Sequence, residues 1–287
     1  MAILQKGAHS PPSDGLCYGN QFYKFNNRQK SNRQNQEYVV SSQVHTDLDN
    51  LLISIRDKKV DEKSALVKLD AFIDKAEADG VLIRNLGAVT YFENRTDLYR
   101  TGDFSLNCAN PATAKILKES ASLDHLTLSY DLNVNQLLDM LDNAPADWFE
   151  LTLHQHMPMF HMEHCVFCTF MSKGTSYKDC GRPCEKHKVQ LRDRVGQLHT
   201  LAADVGCRNT LFNGRAQTGA RYYNDIRSTG LSRYRIDFLD EDKTDVALTL
   251  QAYQKLLAGK TDGELLWQDL EATDRLGVTE GTLEVKF

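Results

Sequence analysis

Five cysteines gather in one short part of the chain, where their spacing could do chemistry. A C-x2-C pair and a C-x3-C pair stand eleven residues apart, and a fifth cysteine completes a segment of 43 positions. Two close pairs on a short loop suit a tetrahedral metal, because each pair supplies two thiolates from one turn. An iron–sulfur cluster makes the same demand. The predicted metal ligands are Cys165, Cys168, Cys180, Cys184 and Cys207.

Spacing alone leaves the nature of this cluster open. Five thiols compete for four positions, and a 4Fe-4S cluster and zinc both suit the donors. A redox disulfide between Cys165 and Cys168 also matches C-x-x-C, but it would leave the second pair unexplained. His161 and His164 flank the first pair, so each is a candidate ligand or a partner of a ligand.

Length and composition restrict the class of protein. The 287 residues, 41% of them hydrophobic, suffice for one large domain or two small ones. No stretch approaches the apolar length that spans a bilayer, and residues 1–15 lack the apolar run of a secretory signal. Seven cysteines, an odd number, also argue against a disulfide framework. We therefore predict a cytoplasmic protein with no membrane partner.

The charge is distributed unevenly. The chain carries −5 overall, but residues 173–235 contain thirteen Lys or Arg and five Asp or Glu, a local charge of +8. A basic segment that overlaps the cysteines indicates an anionic substrate, such as RNA or a carboxylated small molecule. A solvated face of surface salt bridges would also explain the positive charge. From charge alone, this is the better interpretation.

An alternation of strands and helices, which would position these side chains, begins at residue 80. Strands are predicted at 80–85, 103–110, 125–133, 148–156 and 234–242, and helices at 86–95, 111–120, 134–144 and 246–259. Strands that are apolar throughout are typical of a parallel sheet covered on both faces. The predicted fold class is α/β, with TIM-barrel-like (β/α) repeats and a Cys-rich metal-binding loop region. The strands are fewer than eight, so we expect an incomplete barrel or one that a partner protein completes.

Polar residues recur at the ends of four predicted strands. In a barrel such strand ends converge on one mouth, where chemistry is normally placed. Each one alone is more often a helix cap or a turn residue. The residues are Arg84, Asn85, Asn107, Ser129, Tyr130, His154 and His156.

We divide the chain into five segments on composition and periodicity. A poorly ordered N-terminal segment, rich in Asn, Gln, Lys and Arg, precedes a helical segment with apolar residues at helical spacing. The barrel repeats, the cysteine region and a C-terminal βα part follow. The predicted bounds are 1–40, 41–78, 79–160, 161–210 and 211–287.

The cysteine segment resembles the cysteine motif of the peptidase U32 family. That motif has an early cysteine pair after a barrel strand, a C-x3-C followed by a basic stretch, and a later Asp-x-x-Cys, here Asp204 and Cys207. "GVLIRNLGAVTYF" and "DFSLNCANPATAKIL" resemble the inner barrel repeats of the family, and "GLSRYRIDFLDED" resembles its later strand. The resemblance spans roughly residues 78–287.

The resemblance implies two kinds of activity. The traditional label of the family is a collagenase-like protease, a hydrolase. Other branches resemble iron–sulfur proteins that support hydroxylation of RNA bases or of a quinone-precursor ring. The sequence shows no nucleophile with a local base and no H-E-x-x-H helix, so we favour the iron–sulfur branch with a role in RNA or small-aromatic modification. A peptidase, and a non-enzymatic partial barrel with structural zinc, are the alternatives.

The iron–sulfur branch also implies roles for five charged residues. Arg182, Arg208 and Arg215 would hold an anionic substrate, because the guanidinium fork suits carboxylate and phosphate. Glu163 and Asp204 would be polar groups of the catalytic site. These five residues and the cysteines form the predicted site.

Overall fold

Two differently built halves of one sheet share a single long strand. The computed structural model describes residues 2–5, 21–23, 70–71, 73–74, 78–176, 178–204, 207–273 and 278–285. Within these residues eleven strands join one sheet. The strands are β1 (Ala2–Gln5), β2 (Gln21–Tyr23), β3 (Gly80–Ile83), β4 (Tyr99–Gly102), β5 (His125–Thr127), β6 (Phe149–Met162), β7 (Val189–Arg192), β8 (Leu198–Asp204), β9 (Arg208–Thr218), β10 (Tyr234–Asp237) and β11 (Val278–Thr279).

The helices of the described residues lie between these strands. Asn85, Asn110 and Asn133 cap three of the helices with side-chain oxygens, as short polar residues do at helix starts. Asn133 also forms a capping box with Gln136. The helices are α1 (Leu86–Tyr91), α2 (Pro111–Lys115, extended by a π-helical turn Ile116–Ser120), α3 (Val134–Asp142), α4 (Val166–Met171), α5 (Tyr223–Ser228), α6 (Lys243–Leu257) and α7 (Gly263–Thr273).

The first half of the sheet is parallel and curls into a half-barrel. Its strands lie in the order β3-β4-β5-β6-β10-β1, every neighbouring pair parallel, and β2 pairs antiparallel with the outer edge of β3. The described helices supply much of the apolar cover of this half, with Leu137, Leu153, Ile236 and Leu256 among the buried residues of the main core. The mixed α/β class is confirmed, and the half-barrel is compatible with an incomplete barrel.

The second half of the sheet is antiparallel and carries the cysteines. From Pro158 onward β6 pairs with β9, which pairs with β8, which pairs with β7. We call residues 158–212 the arm. The last residues of β9 return to the half-barrel, where Thr218 pairs with His154 and Ala216 pairs with Val278 of β11.

The inner face of the half-barrel contains a buried ionic network around Arg235. This side chain is 1% exposed and lies on β10. Its Nη1 donates to Glu150 at 2.9 Å and to Thr127 at 3.2 Å, its Nη2 donates to Asp103 at 2.9 Å, and its Nε donates to Asp237 at 3.2 Å. The acceptors come from three other parts of the sheet and from β10 itself. Arg235 therefore ties most of the parallel strands together from the inside.

A partly buried ion pair joins the half-barrel to the arm. The Nδ1 atom of His156 on β6 lies 2.7 Å from the carbonyl oxygen of Asn213, and its Nε2 atom lies 3.1 Å from Glu241 Oε1. Because both ring nitrogens face oxygen acceptors, the contacts are those of an imidazolium ion. Glu241 also accepts the backbone N–H of Leu239 at 2.6 Å. The pair fixes the segment after β10 against the bend of β9.

Most of the predicted repeat elements are confirmed, and one strand was wrong. Four of the predicted strands and all four helices exist with shifted ends. The prediction of a strand at 103–110 was wrong, because Phe104–Leu106 form a 3-10 turn and Asn107 is left-handed at φ 51°. The strand lies just before, in β4, whose polar residues Arg100 and Thr101 leave no apolar run to indicate it.

The arm strands β7, β8 and β9 were not predicted as strands. In β7, half-buried Val189 and Leu191 alternate with exposed Gln190 and Arg192, the pattern of a half-exposed antiparallel strand. In β8 and β9, polar residues such as Thr200 interrupt the apolar ones. A run that is apolar throughout indicates a strand covered on both faces, and none of the three strands is such a run.

Much of the predicted N-terminal organisation lies outside the described residues. Of the first 77 residues, the structure describes residues 2–5 and 21–23, which are strands, and residues 70, 71, 73 and 74, which are helical. Strands β6 and β9 cross the predicted boundaries at 160/161 and 210/211, and the five-segment division stays a prediction. In the described part of the chain, every helix is too short or too polar to cross a membrane.

Replacement of Arg235 tests whether the network holds the half-barrel together. We expect Arg235→Met to lower the free energy of unfolding by about 3–5 kcal/mol, because it leaves buried carboxylates without their cation. Urea unfolding followed by circular dichroism measures the change. Lys115→Met, which removes an exposed partner of Glu119, is the control and should cost about 0.5 kcal/mol or less. Equal effects of the two substitutions would contradict the role of Arg235.

Titration of stability tests the joint between His156 and Glu241. Burial alone would raise the pKa of Glu241, but the hydrogen bond and charge of His156 and backbone N–H groups lower it below its usual 4.5. The stabilisation is therefore present above about pH 4.5 and lost as the pH falls through the lower folded pKa. Near pH 6 we expect Glu241→Gln to cost about 1–3 kcal/mol of unfolding free energy.

The same urea measurements between pH 6 and pH 3 should show this difference shrinking. Glu119→Gln, on the exposed face of the turn after α2, is the control and should differ little from the wild type throughout. A difference for Glu241→Gln that stays constant over this pH range would show that the ion pair does not stabilise the fold.

Candidate functional site

The first cysteine pair lies at the start of the short helix α4. The Sγ atom of Cys165 accepts the backbone N–H of Cys168 at 3.4 Å, so the first thiol caps the helix that carries the second. The backbone N–H of Val166, the first residue of α4, donates to the Oδ1 atom of Asn209 at 2.6 Å. Asn209 is fully buried on β9. The position of the first pair is therefore set by the strand that follows Cys207.

The apolar face of α4 packs against the strands of the arm. Phe167 is buried against Leu201 of β8 and Leu211 of β9, and Cys165 and Cys184 pack against the same cluster. An apolar wall thus lies behind one thiol from each pair. The burial of Phe167 explains why so short a helix is held in place, since one and a half turns have little stability of their own.

The loop to the second pair folds back on itself. The carboxylate of Asp179 accepts the backbone N–H groups of Thr175 and Ser176 at 2.8–3.1 Å, and the thiol of Cys168 donates to the carbonyl of Gly174 at 3.5 Å. A side chain at Gly174 would lie 2.5 Å from the backbone of Asp179, so this close approach requires glycine. The fold of the loop brings the second pair toward Cys168.

The second pair sits on a tight turn. Gly181 and Arg182 are both left-handed, at φ 68° and 51°, and the N–H of Arg182 donates to Cys180 Sγ at 3.4 Å. Pro183 then starts a 3-10 turn that contains Cys184. Each pair therefore includes one sulfur that accepts a backbone N–H, a contact that favours the thiolate form.

Four of the five thiols are electrostatic neighbours. Desolvation raises the pKa of Cys168, and the nearby thiols of Cys180 and Cys165 raise it further. Burial raises the pKa of Cys184 to about 11, with added contributions from Cys165, Glu185 and Cys180. Each thiolate thus disfavours the others, a repulsion that a bound cation would relieve.

The described cysteines do not yet form a closed ligand set. All six are thiols without a disulfide. In the parts of the chain that the structure describes, no group of three or more His, Cys, Asp or Glu side chains is arranged so that it could hold a metal ion. The structure shows the gathering of the thiols, and the metal-binding region stays a prediction.

Cys207 occupies a separate turn at the same end of the arm. It lies between β8 and β9 with a left-handed φ of 64°, and the register pairs Asp204 with Arg208 across this turn. The thiol is partly buried. Two residues later on the chain, Asn209 accepts the N–H at the start of α4.

The histidines near the cysteines have other partners. His161 Nδ1 lies 2.9 Å from the hydroxyl of Thr210, and His164 makes a hydrogen bond with Thr169. His154 is buried, with its Nδ1 atom 3.1 Å from the phenol oxygen of Tyr253, and burial lowers its pKa to about 4. The structure thus gives each of the three a hydrogen bond to a hydroxyl group.

The predicted substrate-binding arginines are paired with acids. Arg182 Nη1 lies 3.1 Å from Glu185, and Arg208 Nη1 lies 3.8 Å from Glu163, which is 82% exposed. Both arginines are more than a third exposed and lie beside cysteines. Arg215 lies apart, where it donates to Glu271 at 3.0 Å and to the carbonyl of Val278 at 2.6 Å. It ties α7 and β11 to β9.

Much of the positive charge of residues 173–235 is compensated within the fold. Arg221 pairs with Glu264 and Glu280, and Arg235 is the centre of the buried network. With the pairs of Arg182, Arg208 and Arg215, these contacts match the salt-bridged interpretation of the charge. The charge of these five arginines is therefore balanced within the fold.

Sequence reasoning missed Asn209 and the network of Arg235. Asn209 carries no signal in a single sequence, because a buried asparagine looks like any polar strand residue. The strand Tyr234–Asp237 does carry one, since Arg235 and Asp237 alternate with buried Tyr234 and Ile236. Charged residues at every second position of a barrel strand indicate a polar inner face.

The comparisons with known proteins agree with the residues that carry the resemblance. A model described as peptidase family U32 matches residues 49–281. No curated protein and no solved structure matches the chain. The matched range includes the whole arm and every described strand except β1 and β2.

Removal of the Asn209 side chain tests how the first cysteine pair is positioned. We expect Asn209→Ala to increase local opening at residues 163–171 by about 1–3 kcal/mol, because the buried N–H of Val166 loses its acceptor. Hydrogen exchange measured by mass spectrometry reports this opening. Asn143→Ala, which removes an exposed side-chain bond to Asp139, is the control and should leave residues 163–171 unchanged. Unchanged exchange in Asn209→Ala would contradict the assignment.

Proposed function

This chain belongs to peptidase family U32, whose model covers residues 49–281, and on that premise we propose that it binds an iron–sulfur cluster. The ligands would be Cys165, Cys168, Cys180 and Cys184. The observation that carries the proposal is the mutual interaction of these four thiols in the arm. Cys207 would then be a spare thiol or an alternative ligand.

The donor chemistry of the arm suits such a group. Two of the sulfurs accept backbone N–H groups, and hydrogen bonds of this kind tune the potential of a cluster. The apolar wall of Phe167, Leu201 and Leu211 shields one side from water. When bound, a cluster supplies electron transfer. Zinc would use the same four thiolates and would be structural.

We propose further that the protein supports hydroxylation of an aromatic ring, either in RNA or in a carboxylated small molecule. Arg182 and Arg208 are partly exposed beside the cysteines and present guanidinium groups that suit phosphate or carboxylate. Glu163, which pairs with Arg208, would keep that guanidinium in place until an anion displaces it. Asp204 lies at the base of the same turn, opposite Arg208.

Metal analysis of protein purified without oxygen tests the proposal. We expect a brown protein with iron and acid-labile sulfide in near-equal amounts. Colourless protein with stoichiometric zinc would refute the cluster and favour the structural alternative. Cleavage of a gelatin-like substrate that survives removal of iron would favour the peptidase alternative.

Matched cysteine variants locate the ligands. We expect Cys180→Ser to lose most of its iron and sulfide, because an alcohol is a poor ligand for the cluster. Cys108→Ala is the control, since Cys108 is buried in the core of the half-barrel, away from the arm. It should keep the full iron and sulfide content. Equal iron content in the two variants would show that Cys180 is not a required ligand.

A further inference from the structure

The arm exposes large apolar side chains close to the first cysteine pair. In the described part of the chain, eight large apolar side chains are exposed, and four of them lie in the arm. These four are Phe160, Phe170, Met171 and Val195. Phe170 is 81% exposed and Phe160 is 63% exposed. Single exposed apolar residues are ordinary, but several on one small surface indicate an interaction site.

Three of these side chains share the face of the arm sheet on which α4 packs. Phe160 pairs with Leu211, and paired residues of antiparallel strands point to the same side of a sheet. Leu211 in turn packs against Phe167 of α4. Phe170 and Met171 are the last two residues of this helix, one turn after Phe167. We call Phe160, Phe170 and Met171 the apolar patch.

Exposed lysines adjoin the apolar patch. Lys173 lies two residues after Met171, at the end of α4. The same helix contacts the turn Pro183–Glu185, and Lys186 directly follows that turn. Within the described residues, neither lysine forms a salt bridge. The patch therefore has an apolar centre and a positively charged rim.

The charge of the arm favours an acidic protein as the partner. Residues 158–212 contain eight Lys or Arg and five Asp or Glu, a charge of +3, whereas the rest of the chain carries −8. Complementary charge speeds association and selects partners. A nucleic-acid backbone calls for basic residues clustered on one face, and here five acids lie among the bases. Aromatic residues and methionine, by contrast, are enriched in the centres of protein–protein interfaces.

We propose that the apolar patch, with Lys173 and Lys186 at its rim, is the docking site of a small acidic electron-transfer protein. The inference rests on the proposed function, for which it names the partner, and the patch includes the end of the helix that carries Cys168. The docked partner passes one electron from its own reduced flavin or iron–sulfur centre to the group that the arm thiols hold, so the partner is oxidised. Electron-transfer complexes have small interfaces, which a patch of this extent suits.

Redox proteins of opposite charge test the docking on the full chain, purified without oxygen. The probes are an acidic plant-type ferredoxin, an acidic flavodoxin and, as the matched control, basic cytochrome c. In biolayer interferometry at low salt, we expect at least one acidic probe to bind about tenfold or more tightly than cytochrome c, and added salt to weaken its binding. Absence of binding by both acidic probes, or equally tight binding of cytochrome c, would overturn the inference.

Matched variants assign the contacts. Phe170→Ser should weaken binding of the acidic probe about fivefold or more at every salt concentration, because it removes the apolar centre of the interface. Lys186→Glu should weaken it mainly at low salt and reduce its salt dependence. Leu248→Ser, at a 57% exposed position of α6, and Lys260→Glu, after the same helix, are the controls and should bind as the wild type does. Unchanged binding by Phe170→Ser would overturn the inference.

A single-stranded RNA oligonucleotide tests the other class of partner in the same assay. We expect the wild type and Phe170→Ser to bind the RNA equally, which leaves the patch to a protein. If the RNA binds more tightly than both acidic probes and Phe170→Ser loses this binding, the patch belongs to a nucleic acid and the inference is overturned. Circular dichroism of each variant verifies that it is folded.

Iron and sulfide analysis of the same preparations separates this inference from the proposed function. Phe170→Ser should retain the wild-type iron content. Binding of an acidic probe by a protein without iron would refute the cluster and leave the docking surface intact. An iron–sulfur protein that binds neither acidic probe would refute the docking and leave the cluster intact.

Discussion

A guanidinium that is almost completely removed from water must find an acceptor in nearly every direction, and the parallel half of this protein is arranged around that requirement. Arg235 meets it with Asp103, Glu150, Thr127 and Asp237, which come from different strands or strand ends. Removing a charge from water is costly unless the partners have good geometry. The network therefore constrains which strands can be neighbours and in which register. The interior of this half-barrel is polar, unlike the branched apolar layers that fill many parallel barrels.

The second constraint is the continuity of two strands. β6 begins as a parallel neighbour of β5 and β10 and ends as an antiparallel strand of the arm. β9 stays antiparallel to β6 from the arm to the half-barrel, where its last residues also pair in parallel with β11. The arm is therefore held by backbone hydrogen bonds rather than by a hinge. His156 and Glu241 add a side-chain contact at the bend. The cysteine-bearing arm and the parallel strands thus lie on one continuous sheet.

Sequence reasoning predicted the parts of the molecule that local patterns determine. The βα repeats follow from apolar runs and from caps such as Asn133, and the family is recognisable from the spacing of the cysteines. The parts that it missed depend on contacts between distant residues. Arg235 meets Asp103 across 132 positions, and Asn209 meets Val166 across 43. No periodicity within a short window contains those pairings. The three arm strands were missed for another reason, because polar residues interrupt their apolar residues and leave no run that is apolar throughout.

The arm is inserted in the chain between β6 and β10, two parallel neighbours that a single βα crossover would otherwise connect. β6 and β10 are parallel neighbours, yet Leu151 and its partner Tyr234 are 83 positions apart, with the arm between them. The entropy of closing a chain loop grows with its length, and long-range parallel pairings form slowly. The two strands can meet at lower entropic cost once β8 and β9 have paired, because that hairpin shortens the free chain. The geometry therefore favours an order of assembly in which β8 and β9 pair before β10 joins the half-barrel.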